Sequence, residues 1–211
     1  AHKGINVFSC KVHGHSAHSS LTPQGVNAID YAARIIVFLQ GLGKQLQTQH
    51  EQDAAFDVPF STLNVGRIRG GTAVNIIPNE CELQFDYRNL PTMNTDVVLL
   101  PLKAYLQELI QEMQQVHGDA TIVLKQLEQV PAMQSVEGNA LYTLIEALVD
   151  EQQRSKVAYA TEGGHFQLVH MDTVICGPGS IVQAHKADEY IELTQLDRCD
   201  RFLQQLLQTF S

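Results

Sequence analysis

The chain has 211 residues, 44% of them hydrophobic and 18% charged, enough apolar content to bury a core in one domain or two small ones and too much for a disordered chain. Its 14 basic residues against 23 acidic ones give a net charge of −9, which repels phosphate backbones and anionic lipid heads, so nucleic acid is excluded as a partner class. No apolar run reaches membrane-spanning length, and Cys10, Cys81, Cys176 and Cys199 form no close pair; these features imply reduced thiols in a cytoplasmic protein without a membrane partner.

In chain order, Ile5 to Val12 alternates apolar Phe8, Cys10 and Val12 with polar residues, as a half-buried strand does. The strand pattern starts within a few residues of Ala1, with no signal-peptide apolar stretch, so we expect the chain to be cut from something longer. After Pro23 and Gly25, Ile29, Ala32, Ala33 and Ile36 recur at helical spacing, fading into a Gln-rich tail near Gln49. Thr62 to Ile68 predicts a strand closed by Gly70-Gly71, and Cys81, Leu83, Phe85 and Tyr87 alternate up to Pro91 as a further one. Val98, Leu102, Tyr105, Leu109, Met113 and Val116 share a helical stripe ended by Gly118, and Thr121 to Leu127 is β-branched and alternating.

The order β-α-β-β-α-β is that of a ferredoxin-like, α+β arrangement: an antiparallel sheet carrying helices on one face, closing near Val130. Beyond Pro131 the pattern changes to a helix around Leu141 to Leu148, short strands near Lys156 to Ala160 and Thr173 to Cys176, and a last helix marked by Leu196, Leu203, Leu207 and Phe210. We therefore expect one domain over residues 1–130 and, over 131–211, the edge of an α/β sheet whose neighbours lie upstream.

Three clusters carry candidate chemistry. In the first, His13, His15 and His18 fall within six residues. A zinc site built from all three needs a sharp turn and an unseen fourth ligand, whereas His18 alone can offer an imidazole N–H to a developing oxyanion, or merely cap the next turn. The second runs from Gly70 to Pro78 and on through Asp86 to Pro91. Its Asn75 can donate an amide N–H to a substrate carbonyl or carboxylate, and its Arg88 can hold a carboxylate through two parallel bonds or pair structurally with Asp86 or Glu82. The third comprises Thr161 to His165, the turn Gly177-Pro178-Gly179-Ser180, and Gln183 to Tyr190. Glycine-rich turns after strands are where open α/β sheets place ligand loops, and the loop residue His185, near Asp188 and Glu189, is equally a metal ligand or an exposed histidine at a helix start.

Ala1 to Gly4, His18-Ser19-Ser20 with Gly25 to Ile29, Gly-Gly-Thr-Ala-Val-Asn at 70–75, Asp86 to Pro91, and above all Gly177 to Ile181 with Gln183-Ala184-His185 and Asp188-Glu189-Tyr190 resemble the acetylornithine deacetylase group of the zinc aminoacylase/carboxypeptidase superfamily. The resemblance runs the length of the chain. It implies a ferredoxin-like lid that forms homodimers, followed by the C-terminal part of a catalytic domain. It also implies zinc (or cobalt) in the parent enzyme with His185 as the last ligand, and His18 reaching a partner subunit's active site. Asn75 and Arg88 become binders of the substrate carboxylate, with Gly177, Gly179 and Ser180 lining the same pocket. The substrate class would be N-acyl amino acids, N-acetylornithine first among them. The superfamily's remaining ligands and its general base belong to an N-terminal segment with no counterpart here, so the expectation is that this chain alone is inactive.

Overall fold

The computed structural model describes residues 1–134, 138–149, 155–184 and 186–210. By compactness the chain divides into a first unit, residues 1–134 with 155–165, and a second, residues 135–154 with 166–211.

The first unit is built on β1 (Ile5–His13), α1 (Ala28–Thr48), β2 (Thr62–Gly70), β3 (Glu80–Arg88), α2 (Asp96–Gln114) and β4 (Thr121–Val130). The sheet order is β2-β3-β1-β4 with every neighbouring pair antiparallel, the α+β ferredoxin-like topology expected from the element order. Alternation along the central strands decides the layers. Phe8, Cys10 and Val12 on β1 and Cys81, Leu83, Phe85 and Tyr87 on β3 are buried, whereas Lys11, His13, Glu80, Glu82, Asp86 and Arg88 stay in reach of solvent.

Helix α1 starts where the Asn27 side chain accepts the N–H groups of Ile29 and Asp30, satisfying two donors that a helix leaves unpaired. Its core face is Ala28, Ala32, Ile35, Leu39, Leu42 and Leu46. The stripe expected from sequence, Ile29 to Ile36, is thus out of phase by about one residue: Ile29 is exposed and Ile36 only half-buried. Helix α2 buries Val98, Leu102, Leu106, Leu109 and Met113. Tyr105 instead stacks on Phe38 with ring centroids 4.2 Å apart, and Val116 lies exposed beyond the helix end. Both edge strands are largely exposed, and β2 carries an irregularity at Gly66, between Val65 and Arg67.

The segment Ser155–His165 belongs to this first unit through backbone pairing. His2 bridges Met133 on one side and Val157 on the other, and Phe56 bridges Lys156. These are single bridges, so the strand expected near Lys156 to Ala160 is not a ladder. In the second unit α3 (Ala140–Leu148) and α5 (Leu193–Thr209) lie against each other, while Thr173 to Cys176, expected as a strand, has no strand partner among the described residues and is irregular. A further short helix, α4, spans Gly163–Leu168. Among the described residues no helix is long and apolar enough to cross a membrane.

His2 is buried with both ring nitrogens used by the neutral form: Nδ1 lies 2.9 Å from the Lys3 carbonyl oxygen, and Nε2 accepts the Thr161 N–H at 3.4 Å. Burial, opposed in part by the Lys3 carbonyl, holds its pKa below the ordinary histidine value. As pH falls through about 6.5 the unfolded chain takes up a proton that the folded chain does not, so His2 stabilises the fold above that pH and loses the contribution below it. Urea unfolding at stepped pH is expected to show stability falling between about pH 7 and pH 5, with a shallower slope in His2→Gln. An unchanged slope in the variant would contradict the assignment.

Candidate functional site

One end of the sheet carries the first two predicted site residues. Past β1 the backbone turns, and three segments lace together. Gly14 N–H donates to the Asn79 carbonyl at 2.8 Å, His15 and Val26 exchange hydrogen bonds at 3.0 and 2.9 Å, and Ile77 N–H donates to the Ala17 carbonyl at 2.8 Å. Ser19 N–H then reaches the Asn75 carbonyl at 3.0 Å, and His18 pairs with Ile76 in an isolated bridge. His18 and Asn75 are therefore neighbours on the backbone although 57 positions apart in sequence. The exposed His18 ring accepts the Ser20 N–H through Nδ1 at 3.2 Å, which assigns the neutral ring's proton to Nε2 as a hydrogen-bond donor. Capping and donating, alternatives in the sequence, are compatible in this geometry.

The three clustered histidines do not converge. His13 lies 3.5 Å from Glu80, which also pairs with Lys11 at 3.1 Å, while His15 stacks on His117 with centroids 3.8 Å apart and planes 12° from parallel. Stacked rings direct their in-plane lone pairs alongside one another rather than toward a shared point, and no group of three or more His, Cys, Asp or Glu residues among the described residues could hold a metal. The described residues thus do not form a metal centre. The stack was invisible in the sequence because it joins the turn after β1 to the turn after α2.

Arg88 occupies the opposite end of β3. Its Nε donates to Asp86 at 2.9 Å, the structural pairing weighed from sequence, and its Nη groups make no hydrogen bond among the described residues. The turn that follows is fixed by buried groups. Asn89 donates to the carbonyls of Leu90 and Met93 and accepts from Asn6 at 3.0 Å, and Leu90 N–H donates to Ser61 at 2.9 Å. Lys3, which sequence reasoning passed over, is buried beside this end, its ammonium donating to the Val58 and Phe60 carbonyls. Cys81, paired with Gly70, and Arg88, paired with Thr62, stand seven residues apart on an extended strand, about 23 Å. Arg88 and the His18–Asn75 corner are thus at opposite ends of one sheet.

In the second unit, Gly177, Gly179 and Ser180 form an exposed turn. Gly179 has φ +97°, a conformation that side chains disfavour, and the Ser180 hydroxyl accepts the Val182 N–H at 3.3 Å. His185 lies outside the described residues. In the first unit, Glu162 begins the turn into Gly163 and Gly164; a Cβ on Gly164 would come within 2.2 Å of the Pro131 carbonyl oxygen, so that turn is closely packed on the backbone.

Residues 1–114 match the peptidase dimerisation domain family. Among curated proteins, the acetylornithine deacetylase of Photorhabdus laumondii subsp. laumondii is 33% identical over 210 residues, which is 100% of this chain and 53% of that protein. The acetylornithine deacetylase of Pasteurella multocida is 32% identical over the same spans. The chain therefore covers about half the length of the curated relatives it matches. Of solved structures, a tripeptidase from Staphylococcus aureus superposes with TM-score 0.69 at 19% identity over 96% of this chain and 50% of that one. Aminopeptidase PepT from Bacillus cereus does so with TM-score 0.70 at 17% identity over the same shares. At those identities the likeness describes the fold.

Gly14 is the tightest point of the His18–Asn75 corner: a Cβ there would sit 2.0 Å from the Val26 carbonyl oxygen, a backbone atom that cannot swing aside. Gly14→Ala is expected to cost about 2–3 kcal/mol in urea unfolding and to shift the amide resonances of His18 and Asn75 more than those around Arg88. Wild-type stability with unshifted resonances would refute this account of the corner.

Proposed function

Because this chain belongs to the peptidase dimerisation domain family, we propose that it is the dimerising, substrate-gripping half of a hydrolase that cleaves N-acyl amino acids, N-acetylornithine first among them. The observation that carries the reading is the separation of Arg88 from His18 and Asn75 by the length of β3, about 23 Å. No small amino-acid derivative spans that distance, so one substrate meets all three groups only if His18 and Asn75 come from one copy and Arg88 from another. The similarity to acetylornithine deacetylases supports the choice of substrate.

In the proposed site the Nη groups of Arg88 take the α-carboxylate through two parallel bonds, while Asp86 fixes the guanidinium from its Nε side. The Asn75 amide adds a donor. Water adds to the amide carbon, the carbonyl oxygen gains negative charge, and the C–N bond breaks to release amine and carboxylate. The Nε2–H of His18 donates to that oxygen as the charge develops, favouring the transition state over the ground state. Zinc or cobalt in the parent enzyme, with His185 as the ligand from this chain, would polarise the amide carbonyl.

The copies are proposed to meet through the lid. The outer edge of β2 has no strand neighbour among the described residues, and beside it a surface groove of about 340 Å³ is lined by Ile36, Gln40, Leu63, Val65, Arg67 and Ile68. A second copy can pair its strand there and seal both edges at once. Sedimentation should give twice 23.4 kDa for this chain. In a polypeptide that also supplies the missing part of the relatives, Arg88→Ala is expected to raise KM for N-acetylornithine at least tenfold, and His18→Ala to lower kcat by about 10²-fold or more. Full activity in both variants, or no hydrolysis of any N-acyl amino acid, would overturn the hydrolase reading; pairing without hydrolysis would favour a purely dimerising module.

A further inference from the structure

Lys3 is 1% exposed, and among the described residues its ammonium is bonded to neutral groups only: the carbonyls of Val58 at 2.8 Å and Phe60 at 2.5 Å, with the Phe56 ring centroid 5.6 Å away. Lys156 approaches the same ring at 5.7 Å, but its charge is matched by Asp53 at 2.6 Å. No carboxylate matches Lys3 among the described residues. Carbonyls replace part of the lost hydration but not a counter-charge, so this ammonium is held at a cost that a Met or Leu in its place would not incur. Buried charges kept without a partner concentrate where function needs a field.

The backbone shows what lies beside it. Gly4 N–H donates to the Asn89 carbonyl at 2.9 Å, and Asn6 stands opposite Tyr87, so the chain at Lys3 runs along the end of β3 that carries Arg88. Phe60, which receives the Lys3 ammonium, precedes by two residues Thr62, the strand partner of Arg88. Arg88 in turn has one carboxylate, Asp86. Among the described residues Asp86 is thus taken up by Arg88 and no carboxylate is paired with Lys3, so one positive charge near this end of the sheet has no ion-pair partner. Burial first, and the Arg88 charge second, depress the affinity of Lys3 for its proton.

We propose that Lys3 is a positioning residue for carboxylate recognition: without touching the ligand, its buried charge supplies the second positive pole that seats a substrate carboxylate on Arg88. This rests on the reading of Arg88 as the carboxylate clamp. The alternative role, a cap that only ties down the loop at Val58 to Phe60, requires a donor there but no charge felt at Arg88. Linkage separates the two. If the Lys3 charge favours a bound carboxylate, the carboxylate favours the charged form of Lys3 by the same factor.

The test uses this 211-residue chain with acetate as the probe, titrated at constant ionic strength and followed by the backbone amide resonances of Thr62 and Asn89. The wild-type chain should show saturable shifts, Arg88→Met should lose them, and Lys3→Met should weaken acetate binding about tenfold while circular dichroism and melting stay close to wild type. Should Lys3→Met fail to fold, the Lys3 ammonium is titrated by NMR in the wild-type chain, where saturating acetate should raise its pKa by about one unit. Lys3→Met binding acetate as tightly as wild type, or a Lys3 pKa indifferent to acetate, overturns this proposal and leaves the clamp intact. Saturable binding that survives Arg88→Met overturns the clamp itself.

Discussion

The antiparallel pairing of β1 with β3 is the constraint from which the rest follows, because alternation at a period of two makes each strand both a wall of the core and a rail for polar groups. On one face, Phe8 stacks on Phe85 with ring centroids 5.1 Å apart, and Cys10, Val12, Leu83 and Tyr87 complete the surface on which both helices bury their apolar stripes. A slip of one residue would expose that set and bury Lys11, Glu82 and Arg88, so the register is strongly determined. The same register sends the turn bearing His18 off one end of the sheet and brings Lys3 to the other. A strand is stiff and of fixed rise, so the separation of the two site halves is as firm as the core.

In the proposed reading, that geometry couples dimerisation to substrate recognition. If the groups contacting one small molecule sat on one end of the sheet, pairing of two copies would add stability and nothing else. With the groups on opposite ends, the proposed pairing would be the step that assembles the site. The laced backbone around Gly14, Val26, Asn75 and Ile77 and the buried amides of Asn6 and Asn89 then have a common role, holding each half rigidly enough for a second copy to complete it.

The fold was largely legible in the sequence because its signals are local: alternation in β1 and β3, and glycines at the ends of elements. What was misread depended on partners distant in sequence. The phase of α1 is set by the sheet beneath it, and a stripe that includes Ile29 and Ile36 is nearly as periodic as the true one through Ile35 and Leu39. Thr173 to Cys176 has β-forming composition, but a ladder also needs a neighbouring strand, which a propensity does not provide. The candidate site residues could be nominated singly, Arg88 by its chemistry and His18 and Asn75 by their clusters. Their arrangement was not, since adjacency of His18 to Asn75 and remoteness of Arg88 appear only once the strands are paired. Lys3 carried no warning at all: a lysine near a strand start reads as a solvated charge until the loop at Val58 to Phe60 is seen folded over it.

The central claim, that one active site takes His18 and Asn75 from one copy and Arg88 from the other, is tested most directly by mixing two inactive variants. His18→Ala and Arg88→Ala would be prepared separately in a polypeptide that includes the part of the relatives not spanned here, then dissociated, mixed in equal amounts and reassociated before assay on N-acetylornithine. Random pairing makes half of the dimers mixed, each with one site restored and one doubly damaged, so the account predicts recovery of about a quarter of wild-type activity. No recovery, with mixed dimers demonstrably formed, would mean that each site is built within a single copy and would contradict the account.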